Sequence, residues 1–155
     1  MRLGLISDTH GRLRAEVFDA FEGVDRILHA GDIGPADLLV ELEAIAPVTA
    51  VWGNTDGFDV RQRVEEVARL EAGGHYIAVI HGHQLGSPKP AGLRAALPDA
   101  DIIVYGHTHR PLVEMTDGAA VINPGSAGAA RFGLSPSVAI LDLSGEPDVE
   151  LIDLA

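Results

Sequence analysis

The sequence contains five short apolar runs, and each of them ends at a polar or ionisable residue. Runs of this length, rich in Val and Ile and bounded by Gly or Asp, are typical of buried strands rather than helices. They span residues 2–7, 26–31, 48–53, 76–80 and 102–106, and they are followed in turn by Asp8, Asp32, Asn54, His81 and His107. The pattern therefore predicts buried strands whose ends carry groups capable of chemistry.

Helical patterns separate the first three runs. Residues 13–21 place Val17, Phe18 and Phe21 on one stripe, and residues 36–46 place an apolar stripe of four residues on another. Both stripes fit the 3.6-residue period of a helix. The first 54 residues therefore predict the order β-α-β-α-β, which is the signature of a parallel sheet with crossover helices.

The second half of the chain has a different pattern, with three hairpins and one short helix. The hairpins pair residues 64–70 with 75–80, residues 112–115 with 119–122 about a turn at 116–118, and residues 137–142 with 149–152. The helix is predicted over 91–97, between two prolines. We expect antiparallel strands here and a single domain over residues 1–155, because the sequence shows no repeat, low-complexity tract or linker.

Composition excludes several classes of protein. The 155 residues include no cysteine, which excludes disulfides, zinc–thiolate sites, iron–sulfur clusters and a cysteine nucleophile. With 11 basic against 23 acidic residues the net charge is −12, which argues against a broad nucleic-acid-binding surface. No apolar run approaches the ~20 residues of a membrane span, and the first residues lack a secretory pattern. We expect a cytoplasmic protein with no membrane partner.

Histidines and carboxylates occur in pairs at a spacing of two. The pairs are Asp8 with His10, His81 with His83, and His107 with His109. In an extended segment, residues two apart point to the same side, so each pair can direct two side chains into one small region. Because these pairs follow strands, and the carboxyl ends of strands form sites in open α/β sheets, we expect one shared site.

The side chains at these strand ends are typical metal ligands. Aspartate and neutral imidazole bind divalent first-row metals, and the lack of thiolate favours Mn, Fe, Zn or Co in a catalytic site. Seven candidates are too many for one ion with an open position, but they fit two ions that share a carboxylate, an arrangement suited to phosphoryl transfer. The seven are Asp8, His10, Asp32, Asn54, His81, His107 and His109, whereas His29 and His75 are interpreted as structural.

The motifs at these positions resemble, in content and order, the calcineurin-like metallophosphoesterase superfamily, and within it the small single-domain phosphodiesterase branch. They are Asp8-Thr9-His10, Gly31-Asp32, Gly53-Asn54-Thr55-Asp56, His81-Gly82-His83 and Gly106-His107-Thr108-His109, and Asn123-Pro124-Gly125-Ser126 with Arg131 resembles the C-terminal segment of the branch. The resemblance implies an α/β (α+β) fold of the metallo-dependent phosphatase type. This is a four-layer α-β-β-α sandwich of two mixed sheets.

The resemblance also implies a distribution of ligands and a mechanism. Asp8, His10 and His109 would hold the first metal, Asn54, His81 and His107 would hold the second, and Asp32 would bridge the two. The family mechanism is in-line attack on phosphorus by a hydroxide that bridges the metals. We expect two divalent ions per chain, with Mn first and Zn, Fe, Ni, Co or Mg as alternatives.

One position departs from the family pattern. Many members have a histidine directly after the motif Asn, where this chain has Thr55, so the group that protonates the leaving group is unassigned and good leaving groups should be favoured. His83 is the candidate catalytic residue near the phosphate, with a supporting hydrogen bond as its alternative role. Arg110 and Arg131 are candidate substrate-binding residues, with plain surface charge as the alternative.

The sequence leaves three functions to compare. The first is a metal-dependent phosphodiesterase acting on a small phosphodiester or nucleotide-like substrate. The second is a phosphomonoesterase or nucleotide-processing hydrolase on the same site. The third is a non-catalytic scaffold of the same fold, like that of the retromer coat complex; such scaffolds tend to lose ligands, whereas all seven positions here carry metal-binding types. A homo-oligomer is compatible with each.

Overall fold

The computed structural model describes residues 1–116, 119–129 and 131–155, which form two five-stranded sheets and four short α-helices. The strands are β1 (Arg2–Ile6), β2 (Arg26–His29), β3 (Val48–Ala50), β4 (Val67–Ala72), β5 (His75–Ile80), β6 (Ile102–Val104), β7 (Leu112–Thr116), β8 (Ala119–Asn123), β9 (Ser137–Asp142) and β10 (Asp148–Asp153). The helices are α1 (Glu16–Ala20), α2 (Asp37–Glu43), α3 (Phe58–Arg63) and α4 (Pro90–Ala96), and a 3-10 turn covers His83–Leu85.

The first sheet has the strand order β10-β9-β1-β2-β3. Strands β1, β2 and β3 are parallel, as the β-α-β-α-β pattern predicts. The C-terminal hairpin joins this sheet, because β9 pairs antiparallel with β1 and β10 pairs antiparallel with β9. The two ends of the chain therefore meet in one sheet, and the site-bearing end of β1 lies at its centre.

The second sheet has the order β4-β5-β6-β8-β7. The predicted hairpins are present, since β4 pairs antiparallel with β5 and β7 with β8. The second half is not antiparallel throughout, however, because β5 pairs parallel with β6 and β6 pairs parallel with β8, which makes this sheet mixed. Positions 117 and 118 of the turn predicted at 116–118 lie outside the described residues.

The two sheets pack face to face with helices on both outer faces, which confirms the four-layer sandwich. Side chains of β1 alternate between layers: Leu3 and Leu5 enter the core between the sheets, and Ile6 enters the core beneath α1 and α2. The third core lies between the second sheet and α4, where Leu93 packs with Ile103. Burial on both faces explains why these strands are continuous apolar runs.

The first two helices are shorter than their sequence patterns predict, whereas α4 (Pro90–Ala96) has the length of the helix predicted over 91–97. The pattern over 13–21 yields a helix only over Glu16–Ala20, and that over 36–46 yields Asp37–Glu43. Helix α3 has no counterpart in the sequence analysis, because Val60 is its single buried side chain and one apolar position makes no periodic pattern. None of the helices described is long and apolar enough to cross a membrane.

Candidate metal centre

The carboxyl ends of strands from both sheets bring five of the predicted ligands together. Nε2 of His109 lies 3.3 Å from Oδ1 of Asp8, and Nε2 of His81 lies 3.2 Å from Oδ2 of Asp32. His10 is placed between the two carboxylates, with its Nε2 3.8 Å from Asp8 Oδ1 and 3.8 Å from Asp32 Oδ2. The strand ends therefore converge as the sequence predicts.

Within this cluster the ligand atoms form two overlapping groups of three, each with all atoms inside 4.8 Å of one another. One group is Asp8, His10 and His109, the set that the resemblance implies for the first metal. The other is Asp8, Asp32 and His81. Asp8 belongs to both groups, and Asp32 approaches both His10 and His81, so two carboxylates lie at the junction of the two groups.

Each of these carboxylates has one oxygen held by the protein and the other directed into the cluster. Oδ2 of Asp8 accepts hydrogen bonds from the Ser7 hydroxyl at 2.7 Å and the His107 backbone N–H at 3.2 Å. Oδ1 of Asp32 accepts one from the Thr55 backbone N–H at 3.0 Å. This arrangement fixes both carboxylates and leaves Asp8 Oδ1 and Asp32 Oδ2 to coordinate.

Several buried polar atoms of the cluster have no hydrogen-bond partner among the described residues. They include Asp8 Oδ1, His10 Nε2 and His81 Nε2. An unpaired buried polar group lowers the stability of the folded protein by about 1–3 kcal/mol. Three such atoms in one cluster therefore indicate that a ligand binds there. A divalent cation satisfies carboxylate and imidazole together, and the residues present therefore fit a metal.

Hydrogen bonds and charges orient His81 toward the cluster. Its Nδ1 lies 2.7 Å from the Ala30 carbonyl oxygen, to which it donates, so Nε2 is the nitrogen that faces Asp32. Burial favours the neutral imidazole, but the neighbouring Asp32 and Asp8 outweigh it and raise the pKa of His81. Burial likewise favours protonated Asp32, but His81 outweighs that effect and lowers the pKa of Asp32.

Five predicted ligands have a backbone conformation that side chains rarely adopt. Among the described residues six non-glycine positions have positive φ, and five of these are Asp8, His10, Asp32, His107 and His109, with φ from 47° to 71°. The left-handed region costs roughly 1–2 kcal/mol per residue. Strain of this kind clusters at functional sites, where the surrounding structure holds it in place.

Two motif glycines are required because the backbone passes close to the ligands. A Cβ at Gly53 would fall against Oδ1 of Asp32, and a Cβ at Gly106 would fall against the Ser7 hydroxyl. Any larger residue at either position would displace a carboxylate or its hydrogen-bond donor. The glycines of the Gly-Asn and Gly-His motifs therefore serve the packing of the centre.

The last residue of β8 and the segment after it brace two of the ligand loops. Nδ2 of Asn123 donates to the Gly106 carbonyl at 3.1 Å and to Oγ1 of Thr108 at 3.0 Å, which holds the loop between His107 and His109. The Ser126 hydroxyl donates to the Asp8 carbonyl at 3.0 Å. These bonds supply the support that the strained ligand backbone needs.

Asp56 joins two other ligand loops. Its carboxylate is 4 % exposed and accepts three backbone N–H bonds, from Ile33 at 2.9 Å, Gly34 at 3.1 Å and Gly53 at 2.9 Å. These donors lie beside Asp32 and Asn54, so Asp56 fixes the loop after β2 to the loop after β3. In the sequence, Asp56 stands out only as the last residue of the Gly53–Asp56 motif, and the structure shows what it supports.

His29 and His75 lie outside the cluster, as interpreted. His29 is fully buried and its Nδ1 accepts from the Gly31 N–H at 3.1 Å. Its Nε2 donates to Oγ1 of Thr9 at 3.0 Å. Burial lowers the pKa of His29 to about 3, so the ring is neutral. His75 lies at the start of β5, the opposite end from His81, with its Nδ1 3.0 Å from Asp101.

Asn54, His107 and His83 lie at the edge of the cluster. Asn54 is exposed beside buried Gly53, and the His107 ring lies 5.2 Å from that of His81. The His83 ring lies 5.5 Å from His81, and its buried Nδ1 has no hydrogen-bond partner among the described residues. Burial lowers the pKa of both His83 and His107. The roles of these three residues stay predictions.

The two candidate substrate-binding arginines lie further out. Both Arg110 and Arg131 are exposed, and the Arg110 guanidinium lies 5.5 Å from the centre of the exposed Phe132 ring. In the part of the chain that the structure describes, neither forms an ion pair or a side-chain hydrogen bond with a predicted ligand. The structure also shows a row of side chains that the sequence did not predict: the Trp52 ring lies 5.6 Å from His83 and 4.1 Å from the Arg61 guanidinium.

Known proteins are similar to this chain in sequence and in fold. Residues 1–146 match the family model described as the calcineurin-like phosphoesterase superfamily domain. A probable metallophosphoesterase of Methanothermobacter thermautotrophicus is 38% identical, over 98% of this chain and 92% of its own. The structure of an archaeal phosphodiesterase has a TM-score of 0.81 at 27% identity, covering 99% of this chain and 100% of its own. Vps29 of Chaetomium thermophilum, at 17% identity and TM-score 0.80 over 99% and 97% of the two chains, shares the fold alone.

Proposed function

Because the chain belongs to the calcineurin-like phosphoesterase superfamily, we propose that it is a metal-dependent phosphodiesterase formed by one domain over residues 1–155. The observation that carries this proposal is the cluster of buried ligand atoms from Asp8, His10 and His81 that have no hydrogen-bond partner among the described residues. A non-catalytic fold would gain stability by pairing these atoms or replacing them with apolar groups. Their position where the ends of β1 and β5 converge supports a site that binds and uses metal.

The proposed ligands divide between two divalent ions. Asp8, His10 and His109 would hold one ion, Asn54, His81 and His107 would hold the other, and Asp32 would be shared between them. Two such ions, with Mn the first candidate, would lower the pKa of a water and neutralise charge on the phosphoryl oxygens. The lowered pKa of Asp32 supports this assignment, because the carboxylate stays ionised, as coordination requires.

The protein's own residues position the reacting groups. The hydrogen bond from His81 to the Ala30 carbonyl and those to Asp8 from Ser7 and His107 fix the ligands before substrate arrives. His83, half-buried beside His81, orients a phosphoryl oxygen through a ring nitrogen that is unpaired among the described residues. Thr55 follows Asn54 and cannot protonate a leaving group near neutral pH, so esters with good leaving groups react fastest.

The substrate class follows from charge and access. A chain with net charge −12 repels polyanions, so a small ester with one or two phosphates suits the site better than a nucleic acid. His10 and His107 are partly exposed, so the proposed centre is open to solvent on at least one side. A small phosphodiester or nucleotide-like molecule is the proposed substrate.

The test compares bis(p-nitrophenyl) phosphate with p-nitrophenyl phosphate, using chelator-stripped protein with and without added Mn²⁺. We expect metal-dependent cleavage with the diester preferred. His81→Gln, directly after β5, should lose the activity. The matched control is His75→Gln at the start of the same strand, and this variant should keep the activity. Preference for the monoester would instead support the phosphomonoesterase.

The shared fold with Vps29 keeps a scaffold role as the second candidate. The phosphodiesterase and the scaffold differ in whether bound metal supports hydrolysis. A scaffold would bind metal without hydrolysing either ester, and His81→Gln would then change metal content but no catalytic rate. We favour the enzyme because the predicted ligand set is complete, whereas scaffold forms of this fold tend to lose ligands.

A further inference from the structure

We propose that Arg61, held over the ring of Trp52, determines substrate specificity by binding a second anionic group on one arm of the phosphodiester. This inference rests on the proposed function, because it concerns the part of the substrate that lies beyond the scissile phosphate. It concerns residues outside the seven predicted ligands and outside the two arginines that the sequence analysis selected.

Arg61 stands at the outer end of a row of side chains that leads to the metal centre. Its guanidinium carbon lies 4.1 Å from the centre of the Trp52 ring, and that ring lies 5.6 Å from the ring of His83. His83 in turn lies 5.5 Å from His81 and 6.5 Å from His107. The row therefore links the ligand His81 to a positive charge on the exposed Arg61.

The guanidinium is held in place before any ligand arrives. Its Nε donates a hydrogen bond of 2.8 Å to the Asp56 carbonyl, and its face lies on the Trp52 ring as a cation–π contact. Asp56 is itself fixed by three hydrogen bonds to its carboxylate. A side chain restrained at two points loses less conformational entropy on binding than a free surface arginine.

The rest of the guanidinium is available for an anion. Its terminal nitrogens take part in no hydrogen bond or ion pair among residues 1–116, 119–129 and 131–155, whereas Arg63 on the same helix pairs with Asp59 at 3.5 Å. Guanidinium donors match phosphate or carboxylate oxygens in a two-point geometry, which makes an anion the expected partner.

Two chromogenic esters that differ by one phosphate test this assignment. The first is the p-nitrophenyl ester of thymidine 5′-monophosphate, and the second is the same ester carrying an additional 3′-phosphate. We expect the native protein to prefer the second ester. Arg61→Gln should reduce that preference about tenfold, which corresponds to about 1.4 kcal/mol, chiefly through KM for the bisphosphate ester. Arg61→Lys should restore part of it, and Arg63→Gln should leave it unchanged.

A binding measurement gives an independent readout, because Trp52 is the single tryptophan of the chain. Thymidine 3′,5′-bisphosphate has no diester bond, so titrating it into the metal-loaded protein and following Trp52 fluorescence measures affinity without diester turnover. We expect Arg61→Gln to raise Kd about tenfold, again about 1.4 kcal/mol. Arg63→Gln should leave Kd unchanged.

The outcomes separate this inference from the function on which it rests. If Arg61→Gln lowers the rate on both esters equally, Arg61 acts only by packing on Trp52 and the inference is wrong. If Arg61→Gln and Arg63→Gln weaken bisphosphate binding equally, general charge accounts for the effect and the inference is also wrong. If the native protein cleaves neither ester with metal present, the proposed function fails, and the fluorescence titration still decides the role of Arg61.

Discussion

Removing the Asp56 carboxylate should destabilise the protein strongly, although Asp56 is not a predicted metal ligand. In Asp56→Ala the backbone N–H groups of Ile33, Gly34 and Gly53 lose their acceptor, and the bonds from Ile33 and Gly53 are fully buried. Each unpaired buried donor costs about 1–3 kcal/mol. We therefore expect a loss of about 3–5 kcal/mol in the free energy of unfolding, a large part of the ~5–15 kcal/mol of a typical domain.

Urea unfolding followed by Trp52 fluorescence and circular dichroism measures this loss. Asp56→Asn should cost about half as much, because an amide oxygen can still accept from Ile33 and Gly34 while its NH₂ group opposes the Gly53 N–H. Asp59→Ala is the matched control. Asp59 is 68% exposed and pairs with Arg63 at 3.5 Å, so its removal should cost under about 1 kcal/mol.

The same variants show whether Asp56 serves the metal centre. Because Asp56 joins the loop of Asp32 to the loop of Asn54, Asp56→Ala should also weaken metal binding under conditions in which the protein is still folded. A loss below about 1 kcal/mol for Asp56→Ala, or one equal to that of Asp59→Ala, would refute the reasoning.

Three further changes test other parts of the account. Asp32→Asn should abolish diester hydrolysis and lower metal content while the circular dichroism spectrum is preserved; full activity would exclude a bridging carboxylate. His29→Gln should retain metal and flatten the acid side of the stability profile. Burial in the native protein lowers the pKa of His29 to about 3, from the ordinary value of 6.5 that it has in the unfolded chain. Between these two pH values the unfolded chain binds more protons than the native protein, so the stability of the native protein falls as the pH falls. His29 alone should lower the free energy of unfolding of the native protein by about 2 kcal/mol between pH 7 and pH 5, as measured by urea unfolding. An equal loss of stability in His29→Gln would contradict the assignment. Gly53→Ala should reduce metal affinity because its Cβ would meet Asp32 Oδ1, and an unchanged calorimetric affinity would show that the loop adjusts freely.

The strand ends and the ligand cluster could be predicted because local signals encode them. Each of the five strands that lead to the site is a short apolar run followed by a polar or ionisable residue, and a parallel start places the first three of those ends at one edge. Pairing between distant strands has no such signal. Nothing near Ser137–Asp142 indicates that it pairs with β1, and nothing near Ala119–Asn123 indicates a parallel partner in β6.

The support of the centre could not be predicted for a similar reason. The three donors to Asp56 lie up to 23 residues away in sequence, and only the folded loops bring them to one carboxylate. Helix α3 was missed because it buries only Val60, and with it the position of Arg61 over Trp52 was missed. Residue types predicted the ligands, but tertiary contacts select the residues that hold them.

The central claim is that this cluster binds two divalent ions which together support hydrolysis of a phosphodiester. The most direct test adds Mn²⁺ stepwise to metal-free protein while bound metal and hydrolysis of bis(p-nitrophenyl) phosphate are measured on the same samples. The account predicts that activity rises until two ions are bound per chain and then stops rising. Full activity with one bound ion, or activity that persists without metal, would contradict it.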